Sequence, residues 1–242
     1  MRIAISGCQN SGKTTLLTNF LQVWPQYTTP SKTYRDLIKE KQLPHSSLAT
    51  KDTQLDILSF MIQQQGDYKK GSKVVYDRCP IDNLVYTLWC HDKGIDGFDK
   101  TFVDQTISLV KESMKSLDII FLLRYDNSIK IEEDGLRDTN LAYIKEIDNI
   151  FDVLYQQYFH NLESDVFFPK DDSPCVIPLP ASGQQRIDII SEYIDSSGNL
   201  YSDEESMFNP NKISELEALV QQQKNALDME QKERALFEKF KI

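Results

Sequence analysis

Apolar residues along this chain follow two rhythms. Short, nearly continuous apolar runs at residues 2–6, 73–77, 118–124 and 175–178 predict strands, and the run Ile-Ile-Phe-Leu-Leu at 119–123 is of the kind buried on both faces of a parallel sheet. Between them, apolar positions recur at three- and four-residue spacing. Helices are predicted over residues 12–24 (Leu16, Leu17, Phe20, Leu21, Trp24), 51–65 (Leu55, Ile57, Leu58, Met61, Ile62), from Pro80 through Leu84, Val85, Leu88 and Trp89, and over 102–114, 141–159 and 184–194. Strands alternating with helices of this length imply an α/β sandwich around a parallel sheet, with any ligand at the carboxyl ends of the strands.

Two segments break the alternation. Residues 132–139 are polar, with Gly135 as a pivot, and the expectation is a lid spanning about 126–140. Residues 196–211 have the Ser, Asp, Glu, Asn and Gly content of a linker, and residues 212–242 run without Gly or Pro as a terminal helix. The expected organisation is therefore a domain over 1–195, a linker, and a helical tail. Ile213, Leu216, Val220 and Leu227 keep a heptad-like spacing, but Gln223, Glu230 and Arg234 take later seam positions. Packing back onto the domain and forming a homodimer both remain open for the tail.

Composition narrows the class. With 242 residues and 40% hydrophobic content the chain can bury a core, which excludes wholesale disorder. The net charge of −10 is concentrated in residues 101–194, where 8 Lys/Arg face 17 Asp/Glu. Extended nucleic acid, held mainly through phosphates, is a poor fit to that field, whereas a local pocket can bind a small anion whatever the net charge. No apolar run approaches the roughly 18 residues of a membrane helix, and no signal-peptide core follows Met1-Arg2. Cys8, Cys79, Cys90 and Cys175 form no Cys-x-x-Cys pair, and the expected compartment is the cytoplasm with reduced thiols.

The chemistry is concentrated in two stretches. Gly7-Cys8-Gln9-Asn10-Ser11-Gly12-Lys13-Thr14 matches G-x-x-x-x-G-K-[ST] and lies between a predicted strand and a predicted helix, the context that pattern requires. Glycines at both ends let main-chain N–H groups, including those of Asn10 and Ser11, wrap a phosphate at the positive end of the helix. Lys13 would bridge the β- and γ-phosphates of ATP, the Thr14 hydroxyl would ligate Mg²⁺, and Thr15 continues the first helical turn. The second stretch is Val74-Val75-Tyr76-Asp77-Arg78. An acid ending an apolar strand beside such a loop falls near the γ-phosphate, where Asp77 can take a proton or ligate the metal and Arg78 can clamp a phosphate; a plain strand-end salt bridge between the two is the alternative.

Together, Gly7–Thr14 and Asp77-Arg78-Cys79-Pro80-Ile81-Asp82-Asn83 resemble the P-loop nucleoside and nucleotide kinases, in particular thymidylate-kinase-like and deoxynucleoside-kinase-like enzymes and related phage kinase-type ATPases. The resemblance implies a P-loop three-layer sandwich and an ATP- and Mg²⁺-dependent transfer of phosphate to a nucleoside monophosphate or deoxynucleoside. It implies that Asp77 is the acid/base, that Arg78 holds the acceptor, that Arg137 in the lid supplies a transition-state arginine, and that the turn Pro180-Ala181-Ser182-Gly183 holds adenine by backbone contacts, Ala181 among them. For the acceptor, Thr29-Pro30-Ser31-Lys32-Thr33-Tyr34-Arg35 is cationic and aromatic together, so Arg35 suits a phosphate and Tyr34 a base. Asp52 and Gln54 would meet a base edge or cap the next helix. His45, His91 and His160 are read as ordinary polar or core residues.

Other P-loop classes fit less well. A guanine-specific Asn-Lys-x-Asp signature is missing, since Asn211-Lys212 continues as Ile-Ser, and the strand over 119–123 ends in Arg124 rather than in the acidic pair of a motor or transporter ATPase. What remains are a kinase, acting on a nucleotide, a nucleoside, ribosylnicotinamide, or a modified base or end of DNA, and a nucleotide-binding interaction module.

Overall fold

The computed structural model describes residues 1–44, 46–126, 139–160, 166–179 and 184–201, with the isolated positions 218 and 221. Residues 127–138 of the expected lid with Lys130 and Arg137, the expected adenine turn at 180–183 with Ala181, His45, and the expected linker and tail from 202 onward apart from positions 218 and 221 lie outside the described residues.

Among the described residues four parallel strands, β1 (Arg2–Gly7), β2 (Val74–Asp77), β3 (Ile119–Leu123) and β4 (Cys175–Leu179), form one sheet in the order β2-β1-β3-β4. Ile5 stands beside Asp77 on one side and Phe121 on the other. The chain leaves β1 toward β2 and later crosses back to β3, so the switch in strand order falls at the carboxyl end of β1. That is where a doubly wound sheet opens a crevice.

Period-2 alternation sends the sheet's side chains into two cores. Ala4, Tyr76, Ile120, Leu122 and Val176 face one, shared with α3 (Lys51–Gly66), α4 (Pro80–Asp92), α5 (Lys100–Met114) and α6 (Leu141–His160). Ile3, Ile5, Phe121, Leu123 and Ile177 face the other, filled by Leu16, Phe20 and Trp24 of and just after α1 (Lys13–Val23) and by Ile187 and Ile190 of α7 (Gln184–Ser191). These are the three layers that the alternation of strand and helix implies.

Helix boundaries follow capping chemistry. The Asp99 carboxylate accepts from Phe102 N at 2.8 Å, which starts α5 at Lys100, two residues before the apolar stripe. α3 is capped by Thr50, not by Asp52 or Gln54. α7 stops at Ser191, three residues short of the expected end, because Glu192 N and Tyr193 N turn back to Ile189 O and Ile190 O and Ile194 then pairs with Leu200. Sequence periodicity predicted no helix over Tyr34–Lys41, yet α2 forms there. Thr33 and Asp36 close a reciprocal capping box, and Ile38 is buried against Ile57 and Met61 of α3.

Residues 195–201, where the expected linker begins, form a turn clasped against the domain. Trp24 Nε1 donates to Asp195 O (2.8 Å), Gln26 Nε2 to Ser196 O (3.1 Å), Tyr27 OH to Gly198 O (2.8 Å), and Lys73 Nζ to Ser197 O.

Candidate functional site

The loops that leave β1 and β2 meet at the carboxyl edge of the sheet. Gly7 is required there by two constraints: its φ is +137°, and a Cβ would lie 2.2 Å from Leu123 O of the neighbouring strand. Asn10 (φ 59°) and Gly12 (φ 83°) then bend the chain in the left-handed region into α1, for which Gly12 is the N-cap. Ser11 is wholly buried. Its Oγ donates to Cys8 O (2.9 Å) and accepts from Lys13 Nζ (3.2 Å), and that ammonium also donates to Cys8 O. Lys13 is 4% exposed. Burial, aided by the charge of Arg78, pulls its ammonium down to about 7. Thr14 and Thr15 are exposed on the first turn of α1.

Asp77 and Arg78 do not pair with each other. Asp77 Oδ2 accepts from Arg35 Nη1 of α2 at 3.3 Å, while Asp77 Oδ1 is buried without a hydrogen-bond partner. Arg78 turns its backbone into the left-handed region (φ 81°), a strained state for a residue with a Cβ, and directs its side chain inward. Nη1 meets Asp82 Oδ1 (2.8 Å) and Gly7 O (3.2 Å), and Nη2 meets Tyr86 OH (3.3 Å), whose hydroxyl donates to Gln9 Oε1 (2.8 Å).

Asp82, which sequence reasoning quoted without a role, organises this corner. It is fully buried, and besides Arg78 it accepts from Ser6 Oγ (2.7 Å), Cys79 N (3.1 Å) and Gly7 N (3.3 Å). One carboxylate thus joins the end of β1, the turn after β2 and the start of α4. The available signal was an acid in the first turn of a Pro-started helix, four residues after an arginine.

Tyr34 and Arg35 reach the same region from α2. The guanidinium groups of Arg35 and Arg78 lie 5.1 and 5.2 Å from the Tyr34 ring centroid, so in this structure the ring contacts cations. Gln54 turns away from the cap to accept from Asn83 Nδ2 at 2.6 Å, a buried amide pair between α3 and α4. Burial pushes the Cys8 thiol up to about 12 and the Cys79 thiol up as well, so neither offers a thiolate nucleophile.

Among the described residues no three His, Cys, Asp or Glu side chains cluster as a metal site. The donors that do fit a divalent cation are the unpartnered Asp77 Oδ1 and the exposed Thr14 hydroxyl. One carboxylate and one hydroxyl, completed by water and phosphate, is the manner in which Mg²⁺ is usually held. No helix among the described residues is long and apolar enough to cross a membrane.

A parallel sheet with a glycine-framed loop between its first strand and first helix, and an Asp-Arg step after the neighbouring strand, defines a P-loop fold of the kinase type. Residues 2–165 match the sequence profile of the AAA domain family, more than half of the chain, and the chain belongs to that family. Within it, β3 runs into Arg124 with no acidic pair at its end. No curated protein matches the sequence. Among solved structures, deoxyadenosine kinase from M. mycoides with the products dCMP and dCDP superimposes with a TM-score of 0.55 at 16% identity, over 79% of this chain and 98% of that one. The same kinase with bound dCTP gives 0.52 at 17%, over 78% and 96%. NadR in complex with NR gives 0.57 at 14%, over 84% of this chain and 53% of NadR, so the chain spans about half of that protein. At such identities the likeness is one of fold.

Proposed function

We propose that the chain is an ATP-dependent phosphotransferase for a small nucleoside or nucleoside monophosphate. The observation that carries this reading is Asp77, with one oxygen held by Arg35 from α2 and the other buried without a partner, within electrostatic reach of Lys13. A carboxylate that only braced the fold would have both oxygens satisfied. This one keeps an acceptor position at the mouth of the phosphate loop.

In this reading the N–H groups of the loop from Gly7 to Gly12, Asn10 and Ser11 included, and the Lys13 ammonium hold the β- and γ-phosphates, with Thr15 supporting the first turn of α1. Thr14 would ligate Mg²⁺ directly and Asp77 would reach it through a bound water, which leaves Asp77 Oδ1 able to take a proton; the ion when bound neutralises charge on the phosphate oxygens. Asp77 Oδ1 accepts the proton of an acceptor hydroxyl while the acceptor oxygen bonds to the γ-phosphorus and the bond to the ADP oxygen breaks. A monophosphate acceptor attacks through a phosphate oxygen and needs no such base; Arg35 then exchanges Asp77 for the acceptor phosphate. Arg78, which the kinase resemblance makes the acceptor clamp, is held by Asp82, Gly7 O and Tyr86, and would have to exchange one of these contacts to reach an acceptor phosphate. Arg137 and Ala181 keep the roles the kinase resemblance gives them, a closing charge and an adenine contact.

The test is ADP production from ATP over a panel of deoxynucleosides, their monophosphates and ribosylnicotinamide. At least one acceptor should raise the rate well above ATP alone, and Lys13→Ala should abolish that gain. Acceptor-independent rates throughout would refute phosphoryl transfer and leave a nucleotide-binding module.

A further inference from the structure

Arg186 has no role in the site described so far, and its placement is unfavourable twice over. It stands in the first turn of α7, where the positive end of the helix dipole opposes a cation, and it is only 4% exposed. Burial pulls the guanidinium below its ordinary value, with the charge of Asp126 acting the other way. Its Nη1 donates to Ser11 O, a main-chain carbonyl of the phosphate loop, at 2.9 Å.

That contact fixes a peptide plane. In a trans peptide the C=O and the following N–H point opposite ways, so an Arg186 held on Ser11 O turns the Gly12 N–H away from α7. Gly12, in the left-handed region, joins the loop to α1, and no Cβ restrains that plane. Arg78 does the same at the other end of the loop, where Nη1 donates to Gly7 O.

We infer that Arg186 is a positioning residue for the β-phosphate of the nucleotide: from α7 it sets the Ser11–Gly12 peptide so that the Gly12 N–H faces the phosphate before the nucleotide arrives. This rests on the reading of the loop as a nucleotide site. α7 follows directly in sequence on residues 180–183, where the adenine contact is expected, so the same helix would also orient the phosphate loop.

The experiment is calorimetric titration of the full-length protein with ADP and with AMP, which lacks the β-phosphate, using the parent, Arg186→Leu, Arg186→Ala and Arg186→Lys. Loss of one charge-assisted hydrogen bond should weaken ADP binding about tenfold in Arg186→Leu, with AMP changed less than twofold and Arg186→Lys intermediate. Guanidinium ion at millimolar concentration should restore part of the ADP affinity to Arg186→Ala. Equal losses for ADP and AMP, or unchanged ADP affinity, would show a structural role and overturn the inference. If Arg186→Leu fails to fold, a selective loss of ADP affinity in Arg186→Lys still supports it, and unselective behaviour there overturns it. A parent protein that binds no ADP refutes the nucleotide site itself, and this inference with it.

Discussion

Replacing Asp82 by Asn keeps the size and one acceptor oxygen but strands the Arg78 guanidinium, whose side chain is 3% exposed beside a carboxylate 1% exposed. Breaking a buried ion pair on one side costs about 3–5 kcal/mol, because the remaining charge stays in a medium that cannot solvate it. The structure adds to that figure. Ser6 Oγ, Gly7 N and Cys79 N share the same two oxygens, and Asn replaces one of these with a donor facing donors. For a chain of 242 residues the melting temperature should fall by roughly 6–20 °C. Urea unfolding with Arg78→Met as the second arm of a double-mutant cycle provides the assay. The double variant should lose less than the sum of the singles, since removing both charges leaves no stranded ion. An Asp82→Asn protein within about 1 kcal/mol of the parent, or a double variant worse than additive, would refute the claim that this carboxylate holds the corner together.

Asp77→Asn should leave the fold intact and lower transfer to a hydroxyl acceptor by about two orders of magnitude, measured as steady-state ADP release; an unchanged rate would remove Asp77 from the chemistry. Arg35→Ala should raise KM for a monophosphate acceptor by about ten- to a hundredfold while sparing a nucleoside, and an equal effect on both would argue that Arg35 serves Asp77 instead. Lys13, held down to about 7, is charged at low pH in both the folded and unfolded chain, so the cost of burying it is fully present below pH 7 and is relieved as pH rises toward its ordinary value. Above pH 7, ATP binding should therefore take up a proton. Calorimetry at pH 8 in two buffers of different ionisation enthalpy reads this directly, and a buffer-independent heat would contradict it.

The parts of this molecule visible in the sequence are those whose signal is local. Gly7, Gly12 and Lys13 announce a phosphate loop because the backbone geometry needs those residue types at that spacing, and the apolar strands announce a sheet buried on both faces. The helix at Tyr34–Lys41 escaped because its apolar stripe is short, although the Thr33 and Asp36 box was readable. Partner choice was less accessible. Asp77 and Arg78 are neighbours in sequence, yet a strand end and a left-handed turn send them to Arg35 and Asp82. Arg186 had no signature at all, because its target is a main-chain carbonyl, which every residue carries.

The clasp over residues 195–201 has a consequence for how this chain tolerates sequence drift. Trp24, Gln26, Tyr27 and Lys73 grip it through carbonyl oxygens, so the side chains of Ser196 and Ser197 are not what is gripped. Gly198 is the exception. Its φ is +73°, and a Cβ would come within 2.6 Å of Gln26 Nε2 and 2.7 Å of the Tyr27 ring. Composition there can vary among small and polar residues and still hold the clasp to the domain, provided that Gly198 stays without a side chain and Asp195, whose Oδ1 accepts from Asn199 N at 2.9 Å, keeps its carboxylate. A stretch that reads as filler can therefore act as a fastener whose specification is written almost entirely in its neighbours.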